Sequence, residues 1–194
     1  MKTPLALCLV LATLVGCSKE TKPSPEPAGP AAAEPSGGVG TQKADITWTD
    51  AKGFERLPSA SAMRVASYKY AAVKGDKEPA ELAVFYFGPS MGGSVESNVE
   101  RWLGQFPDVD KSTVKRSDRS IHGMTQHIVE IDDATYQSGM PGGAKTAKEH
   151  FGFVGVIVEA PTGNHFFKLT GPKATVAAAR AGFFQMMDSV RTKS

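Results

Sequence analysis

The chain reads as an α+β domain, a mostly antiparallel sheet of about six to seven strands with two main helices. Three observations lead there. Stretches rich in β-branched and aromatic residues recur along residues 45–194, most of them joined by turns too short for a crossover helix. Only two segments carry apolar residues at helical spacing. In two of the strands both alternating faces are apolar, which calls for cover on both sides of the sheet.

The elements follow in order. Trp48, in the stretch ADITWTD, opens the domain with a short strand. Residues 62–73 (AMRVASYKYAAV) and 81–87 (ELAVFYF) are strands separated by KGDKEP, which reads as a hairpin turn. Residues 82–87 are apolar on both faces and so belong at the centre of the sheet. Ser94 can cap a helix from Val95 to about Gln105, with Val95, Val99, Trp102 and Phe106 at helical spacing and Pro107 as its stop. Two strands follow, 112–121 and 123–132, turning at His122-Gly123. Residues 133–150 (DATYQSGMPGGAKTAKEH) hold three glycines and one proline and show no period. Residues 151–160 (FGFVGVIVEA) are a second two-sided strand, and PTGN turns the chain into HFFKLT. There His165, Phe167 and Leu169 share one face and Lys168 points to the other. Gly171-Pro172 opens a helix through Arg191, since proline suits a first helical turn. Its stripe is Val176, Ala179 or Arg180, Phe183, Met187 and Val190, which makes Met187 a core residue rather than a ligand. The expected order is β-β-β-α-β-β-β-β-α, with no internal repeat.

The N-terminus is different in kind. Lys2 gives a positive start, and Pro4 to Val15 is a mostly apolar run of a dozen residues, too short for a spanning helix of about 20. It ends in Leu14-Val15-Gly16-Cys17, which resembles the lipobox of bacterial lipoproteins. That resemblance implies a signal peptide over 1–16, cleavage between Gly16 and Cys17, and diacylglycerol and acyl chains such as palmitate on Cys17. Each buried methylene contributes about 0.8 kcal/mol, so three chains anchor a protein almost irreversibly to a membrane. Cys8 falls in the discarded segment, leaving one cysteine and no internal disulfide. Residues 17–44 begin with the lipidated Cys and continue as a Pro/Ala/Gly-rich tether. From residue 18 onward it holds five prolines and no aromatic, too little apolar surface to offset its ordering entropy. Residues 45–194 then form a single globular domain.

The expected location is the bacterial cell envelope, lipid-anchored with the domain in the periplasm, and Ser18 leans it toward the outer membrane. Loss of Lys2 takes the formal charge from +2 to +1. A near-neutral domain gives no electrostatic footprint for nucleic acid.

A second resemblance covers the folded part. The ending GNHFFKLTGPKATVAAARAGFFQMMDSV is similar to the C-terminal part of PsbP-type domains. The stretches YFGPSMGGSVESNVERWLGQF and MPGGAK resemble a set of uncharacterised secreted bacterial lipoproteins. The resemblance implies an α-β-α sandwich and an assembly or accessory role through protein binding, with no agreed catalytic site.

Residues 88–92 (GPSMG) match the Gly-x-Ser-x-Gly of a hydrolase nucleophile elbow, with Ser90 as nucleophile. Against that role, the helix starts only at Ser94, Pro89 removes an N–H just before the serine, and repeated β-α crossovers are missing. Asp132 and His165 supply an Asp and a His in the required order. The plain reading is a glycine-rich strand-to-helix connection, with an anion-holding loop as a further option. His122, His127, His150 and His165 show no metal-ligand spacing, and no metal or cofactor is expected. Glu130, Asp132 and Asp133 read as a solvated cluster.

A long unstructured segment inside a compact domain is uncommon and often binds something. Residues 133–150 are therefore the candidate binding loop, with Tyr136, Met140 and Pro141 as an apolar tip beside Gly142 and Gly143. The alternative is an insertion or a short helix near GAKTAKEH. The expected function is a non-catalytic binding or accessory module for a protein partner that the sequence does not identify. Two other readings stay open: an envelope hydrolase using Ser90, and a small-ligand carrier with a pocket between sheet and helices.

Overall fold

The computed structural model describes residues 45–58, 61, 63–139 and 143–193. The signal segment, Gly16, Cys17, the tether through Ala44, and the loop residues Met140, Pro141 and Gly142 lie outside them. Among the described residues the order is β1 (Ile46–Thr47), β2 (Phe54–Leu57), β3 (Arg64–Tyr70), β4 (Ala80–Tyr86) and α1 (Val95–Leu103). There follow β5 (Lys115–Ile121), β6 (Met124–Ser138), β7 (Thr146–Ala160), β8 (Gly163–Pro172), α2 (Lys173–Asp188) and β9 (Arg191–Thr192). Seven strands form one sheet in the order β2-β3-β4-β8-β7-β6-β5, and β1 pairs with β9 in a second, two-stranded sheet. Every neighbouring pair is antiparallel, as short connections require. The fold is the α+β class the sequence predicts.

One helix covers each face. On one side Val176, Ala179, Phe183, Met186 and Met187 of α2 pack on Val154, Val156, Phe167 and Leu169. On the other, Val99, Trp102 and Leu103 of α1, with Phe106 beyond it, pack on Val129, Phe153, Ile157 and Phe166. The arrangement is an α-β-α sandwich, and it explains the two-sided runs in β4 and β7. Strand β8 alternates as expected, with Phe167 and Leu169 toward α2 and Phe166 toward α1.

Ser94 caps α1 by accepting from the Ser97 N–H at 3.2 Å. Trp102 packs so close to the sheet that a methyl group on Gly155 would lie 2.4 Å from its Cζ3. Only glycine fits there.

Several boundaries differ from expectation. Strand β2 (FERL) is an edge strand with partly exposed residues, too short to show a period. Helix α1 stops at Leu103 rather than Gln105, where the Gly104 N–H closes on the Glu100 carbonyl at 2.9 Å. Helix α2 stops at Asp188, because Arg191 and Thr192 pair with Thr47 and Ile46 instead of continuing it. The largest difference is in 133–150. Strand β6 runs on to Ser138 and β7 already begins at Thr146, so most of the segment is a hairpin rather than a loop or short helix. Register shifts between Ile131 and Ala134 and between Ala134 and Tyr136 break the alternation that would have marked it as strand.

Candidate functional site

Helix α1 has nine residues and roofs only part of its face of the sheet. Beside it, β3, β4, β8, β7 and β6 line an open cleft of about 300 Å³. Its floor follows from strand periodicity. Residues two apart share a face, so Glu81, Ala83 and Phe85 of β4 line it together, as do Lys168 and Thr170 of β8. Lys168 lies opposite Ala83 on one side and Gly155 on the other, so no bulky neighbour covers it from within the sheet. Phe151 of β7 and Tyr136 of β6 form an aromatic wall, their rings stacked with centroids 5.7 Å apart.

The charges in the cleft are unevenly matched. Arg64 donates to Glu81 at 2.6 Å and lies over the Phe85 ring. Lys148 pairs with Glu78 and sits above Phe151. Lys168 donates to the neutral amide oxygen of Gln105 at 2.9 Å, and no carboxylate pairs with it among the described residues. Burial brings the Lys168 amine down to about 8, helped by repulsion from Arg101 and Arg64 and offset in part by Glu81. Tyr136 is half-buried against Phe106 and Phe151. Burial, then the nearby Glu81, pushes its hydroxyl upward, which keeps it a proton donor.

The cleft draws in one residue of the expected binding loop. Tyr136 is a strand residue paired with Lys148, not part of a loop tip. Gly143 is exposed beyond the start of the hairpin, and Met140, Pro141 and Gly142 are outside the described residues. Lys168, Phe85 and Phe151 join the cleft from strands whose sequence marks them only as sheet residues. The available signal was a lysine between Phe167 and Leu169, on the face of the strand that also carries Phe166.

Ser90 sits elsewhere, in an exposed turn with φ of 59°. Around it is a shallow hollow formed with Pro89, Gly92, Gly93 and residues 160–164, which hold no histidine or carboxylate. Strand β4 is antiparallel to both neighbours, whereas the nucleophile elbow follows a parallel strand. His165 is fully buried and stacked on Tyr86, with centroids 4.3 Å apart. Asp132 is held by Lys115 at 2.6 Å on the edge strand pair. The fold does not bring Ser90, Asp132 and His165 together.

The other histidines are tied down separately. His122 meets the Val190 carbonyl at 2.8 Å, while His127 lies between Asp118 at 2.8 Å and Glu159 at 3.3 Å. His150 faces Asp133, which also accepts from Lys173 at 2.6 Å. Among the described residues there is no group of three or more His, Cys, Asp or Glu placed to hold a metal ion. No described helix is long and apolar enough to cross a membrane.

No protein-family model matches the chain. No curated protein matches it either. Among solved structures, the fold is similar to the crystal structure of LpqN, involved in cell envelope biogenesis of Mycobacterium tuberculosis. The TM-score is 0.48 at 11% identity, covering 77% of this chain and 83% of that one.

Proposed function

We propose that the protein is a lipid-anchored envelope lipoprotein whose domain, behind a Pro-rich tether, is a non-catalytic binding or accessory module. The lipobox-like Leu14-Val15-Gly16-Cys17 and the Pro-rich stretch behind it support the anchor and the tether. The resemblance to PsbP-type domains, together with the α-β-α layering, supports an accessory role for a protein partner in the periplasm. The observation that carries the binding reading is the open cleft beside α1, where aromatic and charged side chains from five strands converge.

Crosslinking of the native protein in cells tests this, with Tyr136→Ala and Phe151→Ala variants alongside. One dominant partner, lost in both variants but retained in Ser90→Ala, is the expected result. Turnover of a small ester, peptide or phosphate by the purified protein, abolished by one point substitution, would overturn it.

A further inference from the structure

We infer that the cleft beside α1 is a receptor for a small-molecule carboxylate, with Lys168 pairing the carboxylate and Phe85, Tyr136 and Phe151 holding its flat apolar body. This rests on the cleft being the binding surface and names the ligand class it takes.

The argument begins with charge. The cleft lining carries three cations, Arg64, Lys148 and Lys168, against two carboxylates, Glu78 and Glu81. Both carboxylates are already engaged, Glu78 with Lys148 and Glu81 with Arg64. Lys168 is left with the neutral Gln105 amide, while Arg101 adds positive charge from α1. A mostly buried ammonium whose hydrogen bond goes to a neutral amide, with Glu81 committed to Arg64, is costly, and an external carboxylate would relieve that cost. The Tyr136 hydroxyl, which has no hydrogen bond among the described residues, adds a second donor. One ammonium and one hydroxyl suit a single monoanion.

Shape narrows the class further. A volume of about 300 Å³ lies at the small end of ligand sites, too little for a long lipid chain. The side chains of Phe85, Tyr136 and Phe151 give the lining an aromatic, apolar part, which an aromatic acid covers better than acetate.

Proton linkage gives a readout that a purely structural lysine would not. An added carboxylate raises the pKa of a facing ammonium. Burial brings Lys168 down to about 8, among Arg64 on β3, Glu78 and Glu81 at β4, Arg101 on α1, Lys148 on β7 and Tyr136 on β6. Carboxylate binding therefore takes up protons at pH 8.5 and almost none at pH 6.5, and affinity falls as pH rises through about 8.

The test is isothermal titration of the full chain with benzoate and phenylacetate, in buffers of different ionisation enthalpy at both pH values. Benzamide, acetate and inorganic phosphate serve as comparisons. The aromatic acids are expected to bind at least about tenfold more tightly than benzamide, with the preference lost in Lys168→Met. Lys168→Arg should keep the preference and lose the proton uptake. Equal binding of acid and amide, unchanged affinity in Lys168→Met, or no binding of any acid overturns the inference. Partner capture that still depends on Tyr136 and Phe151 would then leave the binding reading standing without it.

Discussion

His165 shows how a single residue can set the acid limit of the domain. Its Nδ1–H donates to the Gly163 carbonyl at 3.1 Å, which leaves Nε2 bare and 3.7 Å from the Asp45 carboxylate. Neither Nε2 nor the facing Asp45 oxygen has a hydrogen-bond partner among the described residues. The distance would suit an ion pair, yet burial outweighs the attraction of Asp45 and takes the imidazole down to about 4. At neutral pH the contact is therefore not an ion pair. A buried histidine whose folded pKa is depressed contributes stability that is present above its unfolded value near 6.5 and is lost as pH falls toward 4. With 1.36 kcal/mol for each unit, the loss approaches about 3 kcal/mol. His127 acts in the opposite direction. Burial pulls it down, but the Asp118 carboxylate, which accepts from Nδ1, and the Glu159 carboxylate facing Nε2 leave it raised, so its contribution is present below about 6.5 and fades as pH rises. Urea unfolding at pH 7 and pH 4.5 should show a smaller acid loss in His165→Phe, which keeps a ring on Tyr86, than in the parent chain. Equal losses would mean that some other group sets the limit.

At the scale of elements, α1 is held by contact rather than by length. Nine residues make an isolated helix marginal, so the Ser94 cap and the seating of Trp102 decide whether it forms. Trp102 needs the empty space at Gly155, where an added methyl would meet Trp102 at 2.4 Å and Phe153 at 2.6 Å. Gly155→Ala should therefore destabilise the domain by about 1–3 kcal/mol, the usual range for overpacking. Ser94→Ala should cost about 1 kcal/mol through the lost cap. Thermal unfolding checks both, and a Gly155→Ala chain as stable as the parent would mean that α1 rides higher over the sheet than described. The Ser94 cap of α1 and the apolar stripes of both helices were legible because serine capping and the 3.6-residue period act locally, whereas Pro172 ends β8 and precedes α2 instead of sitting in its first turn. The β6–β7 arm was not, because bulges at Ile131–Ala134 and Ala134–Tyr136 remove the period of two on which strand recognition depends.

For the whole molecule, the anchor and the domain make separable claims. The lipobox reading predicts that the full chain fractionates with membranes and that Cys17→Ser releases it into the periplasmic extract. Mass spectrometry of the N-terminal peptide should show acyl chains on Cys17, and an unmodified cysteine would sink the anchor. Neither result bears on the cleft, which is probed by Tyr136, Phe151 and Lys168.

The sequence by itself determined the α+β class, the central places of β4 and β7, and both helices. Each of these rests on local periodicity, capping chemistry or two-sided hydrophobicity. It also carries the lipobox-like Leu14 to Cys17, since such a signal is read as linear sequence. Only the tertiary structure decided that the residues around 133–150 continue two strands. It also decided that Ser90, Asp132 and His165 stay apart, and that Lys168 shares a cleft with Tyr136 from 32 residues away. The reason is register. The antiparallel order β4-β8-β7-β6 brings Lys168 level with Ala83 and Gly155 and stacks Tyr136 on Phe151, and strand pairing across such separations leaves no mark in a local window of sequence.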